Sequence, residues 1–68
     1  MTDADRVRLA ELVRERMLNA AEAAYEDAGV QGLCAEGRWE VAVGAMRSVD
    51  LARLLAEVLP PGSDGPRS

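Results

Sequence analysis

The 68-residue sequence contains no histidine, lysine, isoleucine or phenylalanine, and its only cysteine is Cys34. Histidine is the side chain that enzymes use most often as a general base, and usual zinc sites are built from cysteine and histidine. A single cysteine also excludes a disulfide bond within the chain. We therefore expect no catalytic residue and no cofactor, which leaves the chemistry of carboxylates, arginines and apolar surfaces.

Positive charge is scarce as well. Eight arginines face twelve aspartates and glutamates, so the formal net charge is −4. Binding to nucleic acid requires a basic patch that neutralises phosphates. Four arginines do lie close together near the start of the chain, but acidic residues alternate with them (Arg6, Arg8, Arg14 and Arg16). We expect no nucleic-acid partner.

Long apolar runs are also absent. No stretch approaches the ~18 apolar residues of a membrane-spanning helix. The first residues, 1–5, are acidic, whereas a secretory signal peptide begins with basic residues. A lone thiol is typical of a reducing compartment. The sequence therefore predicts a cytoplasmic protein without a membrane partner.

Apolar residues make up 49% of the chain, and alanine and leucine dominate among them. Both favour helix, whereas the β-branched and aromatic residues that favour strands are fewer. The sequence thus predicts a small all-α domain. We expect one domain over residues 1–59, with three helices at about 3–28, 35–47 and 49–59, and a disordered tail over residues 60–68 that contains no apolar side chain.

Local signals set these predicted bounds. Thr2 can cap the first helix, with Asp5 three residues later in the position of a capping box. Gly29 is expected to be the glycine that follows the first helix. Ser48 or Asp50 can cap the third helix, and the proline pair after Leu59 stops it.

The predicted architecture is a long first helix packed against two shorter ones. Helical periodicity makes the second helix the most enclosed element. Below roughly 70–80 residues, one core supplies only about 3–5 kcal/mol. Because neither a disulfide nor zinc is at hand, we expect a homo-oligomer, most simply a dimeric helical bundle. The predicted interface consists of apolar positions that one copy does not need for its own core: Val7, Leu9, Leu12, Val13, Leu54 and Leu55.

A possible ligand site lies at the turn between the first two helices, where Cys34, Arg38 and Trp39 follow one another closely. Cys34 is either a reactive thiol or a small core residue, and Trp39 is either a platform for a flat ligand or a core side chain. Arg38 is suited to an anionic group.

Two pairs of glutamates flank the same turn. Glu22 and Glu26 are four residues apart late in the first helix, and Glu36 and Glu40 are four apart early in the second. Carboxylate oxygens bind hard cations such as calcium, magnesium or manganese. The alternative interpretation is that all four side chains are simply solvated on polar helix faces.

These observations favour a small cytoplasmic protein, not an enzyme, that acts through protein–protein contact as an adaptor, regulatory subunit or accessory domain. Its expected partners are a second copy of itself and another protein. The alternative is a protein that binds a small molecule or a divalent cation at the turn between the first two helices.

Overall fold

The computed structural model describes residues 1–59, which fold into three α-helices. They are α1 (Asp3–Val30), α2 (Ala35–Arg47) and α3 (Leu51–Val58). The prediction of a small all-α chain with three helices is therefore confirmed. The predicted disordered tail lies outside the described residues.

The start of α1 is fixed by a reciprocal pair of hydrogen bonds. The backbone N–H of Asp5 donates to the Thr2 hydroxyl oxygen at 3.1 Å, and the backbone N–H of Thr2 donates to the Asp5 carboxylate at 3.1 Å. This is the capping box that the sequence predicts, with aspartate in place of the longer glutamate. The hydrogen bond from the Thr2 backbone is the main reason why the pKa of the Asp5 carboxyl lies below its usual value.

The end of α1 differs from the prediction. The helix continues through Gly29 to Val30, and Gly32 is the residue with a left-handed backbone, at φ 89°. The N–H of Leu33 bonds to the carbonyl of Ala28, and the N–H of Gly32 bonds to that of Gly29. This is a Schellman motif with Gly32 at C′. The assignment of Gly29 to that position was wrong, because two glycines lie three residues apart and only the second has positive φ.

The third helix begins with a side-chain cap. The Asp50 carboxylate accepts a hydrogen bond from the backbone N–H of Arg53 at 3.0 Å, so Asp50 is the N-cap of α3. Ser48 ends α2 instead, and its hydroxyl donates to the carbonyl of Gly44 at 2.9 Å. Of the two caps that the sequence left open, the structure selects Asp50.

The chain divides into two compact units. In the first, residues 1–13 of the chain pack with α3, and Leu54 is buried with 3% of its surface exposed. The second unit, Arg14–Val49, contains the rest of α1 packed with α2. Its buried residues are two alanines, Ala28 and Ala42.

The side chains of α2 differ widely in burial. Each of the three helices has one buried residue, which in α2 is Ala42, while Trp39 and Val41 are exposed and Val43 and Met46 are half-buried. The prediction that α2 is the most enclosed helix is therefore not contradicted, but its aromatic ring does not belong to the buried part.

None of the three helices within residues 1–59 combines the length and the apolar character needed to cross a membrane.

Candidate functional site

The second unit carries an open groove between the later part of α1 and α2, with a volume of about 550 Å³. The residues that line it are two aromatic rings, two carboxylates and three small apolar side chains. We call it the Trp39 groove, lined by Ala21, Glu22, Ala23, Tyr25, Glu26, Trp39 and Ala42.

Alanines form the floor of this groove and an aromatic ring forms its rim. Ala42 is 3% exposed, whereas Trp39, three residues earlier on α2, is 61% exposed. The interpretation of Trp39 as a core residue was therefore wrong. An indole ring that is open to solvent beside carboxylates can pack against a flat group or attract a cation to its face.

The two carboxylates of the groove belong to successive turns of α1. Glu22 and Glu26 are both exposed, and within residues 1–59 neither side chain has a hydrogen bond or an ion pair. They lie toward the carboxyl end of α1, where the helix dipole disfavours negative charge. Both carboxylates are therefore accessible to a cation that does not belong to residues 1–59.

Arg38 connects α2 to the end of α1. Its guanidinium lies 4.2 Å from the centre of the Tyr25 ring, and its Nε donates to the Tyr25 backbone carbonyl at 3.3 Å. The last turn of α1 contains no basic residue of its own, so Arg38 places a positive charge near the negative end of that helix dipole. These contacts account for the position of Arg38 without an anionic ligand.

Gly29 provides the space for Arg38. A Cβ atom at Gly29 would lie 2.7 Å from the guanidinium carbon of Arg38, closer than real contacts allow. The glycine inside α1 thus permits the arginine of α2 to reach the helix backbone. Sequence reasoning interpreted Gly29 as a helix end because the pairing with a residue nine positions away leaves no mark on local periodicity.

Cys34 does not belong to the groove. It is the N-cap residue of α2, its side chain makes no capping hydrogen bond, and it is exposed. The interpretation of Cys34 as a small core residue was therefore wrong. Of the three residues predicted for a ligand site, only Trp39 lines the groove. Arg38 lies against Tyr25, and the Cys34 backbone carbonyl accepts a hydrogen bond from the Arg38 N–H at 2.9 Å.

The four glutamates do not form a metal site. Nowhere in residues 1–59 do three or more histidine, cysteine, aspartate or glutamate side chains come together in a way that could hold a metal ion. Glu22 and Glu26 line the groove, but Glu36 and Glu40 do not. The hypothesis of a divalent-cation site built from both pairs is not supported. Spacing along a helix brings residues of one pair together, but it does not bring two pairs on two helices to one point.

The predicted interface residues differ in how far they are exposed. Val7 is 57% and Leu55 is 40% exposed, and both are open to a partner. Leu54 is only 3% exposed, so its own chain already covers it. Three others are half-buried in the first unit: Leu9, Leu12 and Val13. Residues 1–13 and α3 belong to the same compact unit, so α3 packs with this part of α1. That these residues form an interface stays a prediction.

Sequence reasoning missed three residues that the structure marks as accessible. Leu18 is 55% exposed and Tyr25 is 36% exposed, and Arg14 has no hydrogen bond or ion pair within residues 1–59. Their spacing of four and seven residues along α1 was the available signal. This spacing was not recognised because the same helix carries a broader stripe of alanines that packs with α2.

Comparison with known proteins adds no relative: no protein family, no curated protein and no solved structure matches the chain.

Proposed function

We propose that this chain is a small cytoplasmic protein without enzymatic activity that acts through protein–protein contact and associates with itself, most simply as a two-fold dimer. The observation that carries the proposal is the size of the core. Within residues 1–59, only three hydrophobic residues are buried, and two of them are alanines (Ala28, Ala42 and Leu54).

The apolar surface left open is large for a chain of this length. Among residues 1–59, ten large hydrophobic residues are more than a third exposed, and the most exposed of them is Val30 at 87%. Burying one such side chain fully is worth about 1.5–3 kcal/mol, whereas a buried alanine methyl contributes less than about 1 kcal/mol. Single apolar residues on a surface are ordinary, but many of them around a minimal core favour contact with another protein.

The charge of the chain narrows the class of partner. A net charge of −4 without lysine opposes binding to phosphate backbones. The absence of histidine and the lack of a base beside Cys34 argue against nucleophilic catalysis. A protein surface is the partner that exposed apolar side chains and isolated arginines suit best.

Sedimentation velocity of the full chain, from micromolar to millimolar concentration, tests the proposal. We expect the weight-average mass to rise with concentration toward twice that of the 7.3 kDa chain. A constant mass of one chain throughout this range would contradict self-association.

A second candidate function is binding of a small organic cation in the Trp39 groove. Its volume of about 550 Å³ lies in the range of small-molecule sites, and it combines aromatic rings with carboxylates. Titration with an alkylammonium ion, followed by Trp39 fluorescence, tests this candidate. Glu26→Gln should weaken the response, and Glu40→Gln, outside the groove, should leave it unchanged.

A further inference from the structure

One face of α1 inside the second unit carries both a free cation and the groove that would accept one. We call it the Arg14 face. Its members follow the helical spacing of four, seven, eight and eleven residues from the first, which places them on one side of the helix: Arg14, Leu18, Ala21, Glu22 and Tyr25.

This face is exposed, and its charged side chains have no partner within residues 1–59. Leu18 is 55% exposed, and Arg14 has no ionic or hydrogen-bonding partner within residues 1–59. Eight residues further along, which is about 12 Å at ~1.5 Å per residue, lies Glu22, which also has no such partner. The cation and the carboxylate lie too far apart along one helix to pair with each other.

An antiparallel second copy brings the two ends of this face together. With a two-fold axis between Asn19 and Ala20, Arg14 of one copy lies opposite the partner's Tyr25. The same operation places Leu18 opposite the partner's Ala21, so a large side chain meets a small one. Each contact occurs twice, as a two-fold interface requires.

We propose that the chain forms an antiparallel homodimer in which Arg14 of each copy enters the Trp39 groove of the other. This inference rests on the proposed self-association and assigns it a surface. The guanidinium packs on the exposed Trp39 ring and lies near the carboxylates of Glu22 and Glu26. The chain already uses this chemistry internally, since Arg38 lies 4.2 Å from the centre of the Tyr25 ring.

Charge complementarity favours a second copy over an unrelated partner. The groove needs a cation next to an apolar side chain, and Arg14 with Leu18 provides both on the same face of the same helix. One symmetry operation therefore satisfies both grooves. An unrelated basic peptide would fill the groove but would leave Arg14 without a partner.

Charge reversal in two variants tests the inference in the full chain. Arg14→Glu places a carboxylate against the partner's Glu22 and Glu26, and Glu26→Arg places a guanidinium against the partner's Arg14. We expect each variant alone to weaken self-association by about tenfold or more in sedimentation equilibrium. Circular dichroism must show the helicity of the unmodified chain, so that loss of folding is distinguished from loss of contact.

Two matched controls carry the same charge changes elsewhere. Arg47→Glu and Glu40→Arg alter exposed residues of α2 that do not line the groove. We expect both controls to associate like the unmodified chain, and the fluorescence of Trp39 to shift to shorter wavelength on association.

The decisive measurement mixes the two charge-reversed variants. In a heterodimer of Arg14→Glu with Glu26→Arg, both contacts again join opposite charges, so the mixture should associate although neither component does alone. Restored association with a changed Trp39 emission supports the inference. Several results overturn it: variants that associate like their controls, a mixture that remains monomeric, or an added arginine peptide that fills the groove without competing with self-association.

The proposed function and this inference fail in different ways. If the unmodified chain associates and charge reversal has no effect, self-association stands but uses another surface. If the unmodified chain is monomeric up to millimolar concentration, both are wrong.

Discussion

The two units of this chain are held together by different kinds of residue. The first unit consists of residues 1–13 and α3, and side-chain contacts stabilise it. Thr2 and Asp5 cap one helix, Asp50 caps another, and Leu54 is buried. In the second, Arg14–Val49, the buried residues are two alanines, and Arg38 of α2 lies over Gly29 of α1. A large apolar side chain is therefore buried in the first unit and in the second is not, although both units also leave large apolar side chains exposed.

The largest expected effect contrasts Leu54 with Trp39. Leu54→Ala removes a buried side chain and should cost about 2–4 kcal/mol of the free energy of unfolding, most of what a chain of this size has. Trp39→Ala removes a ring that is 61% exposed and should cost about 1 kcal/mol or less. Urea denaturation at a concentration where the chain is monomeric measures both. A larger loss for Trp39→Ala than for Leu54→Ala would break the comparison.

Gly32→Ala tests how much the left-handed backbone at Gly32 contributes to the stability of the second unit. Gly32 has φ 89°, where nothing lies within 4 Å of an added Cβ, so the cost is conformational and should be about 1–2 kcal/mol. The same denaturation curve measures it. Gly44→Ala is the matched control, since Gly44 lies inside α2 with open space around it. That variant should stabilise the chain by about 0.5–1 kcal/mol, because alanine favours helix. Equal effects of the two substitutions would contradict the assignment of Gly32 to C′.

The starts of α2 and α3 provide a third contrast, because only the N-cap residue of α3 forms a side-chain hydrogen bond. Asp50→Ala removes the hydrogen bond to the Arg53 N–H and should cost about 1 kcal/mol. Cys34 holds the equivalent position of α2 without a side-chain hydrogen bond, so Cys34→Ser supplies a capping oxygen and should stabilise the chain by some tenths of a kcal/mol. Thermal unfolding by circular dichroism measures both shifts. A destabilising Cys34→Ser would mean that the thiol makes a contact that serine cannot replace.

A double-mutant cycle tests whether the contacts of Arg38 depend on the space that Gly29 leaves. Gly29→Ala gains helix propensity worth about 1 kcal/mol but displaces the guanidinium of Arg38. The gain should therefore be small or absent in the unmodified chain and appear in the Arg38→Ala background. Free energies of unfolding for the four proteins give a coupling of some tenths of a kcal/mol or more. Strict additivity would show that Arg38 does not depend on the space at Gly29.

The smallest expected effect is that of pH on the first unit. Hydrogen bonds from the Thr2 backbone and hydroxyl lower the pKa of Asp5 from its usual 3.8, so the folded state binds that proton less readily than the unfolded state. The ionised carboxylate therefore stabilises the fold above pH 3.8, and this contribution disappears as the pH falls through the lower pKa of the folded chain. Asp5→Asn should flatten this part of a helicity titration. Superimposable titrations of this variant and the unmodified chain would contradict the assignment.

Part of the fold and site could be predicted from local chemistry. Capping boxes, helix bounds and the all-α class depend on residues within about one helical turn of each other, so the Thr2–Asp5 pair and the range of α2 are visible in the sequence. The groove was only partly predictable. Trp39 was selected for its ring, but its neighbours Tyr25, Glu22 and Glu26 come from another helix, and neither Cys34 nor the second glutamate pair joins them.

The three helices, the cap at Thr2, the acidic charge and the absence of a histidine-based site could all be predicted from the sequence, because each of these follows from composition or from neighbours along the chain. Which apolar residues are buried depends on the tertiary structure. Within Arg14–Val49 the buried residues are Ala28 and Ala42, whereas Trp39 and Val41 are exposed. That outcome depends on which faces meet, and periodicity along one helix does not record it.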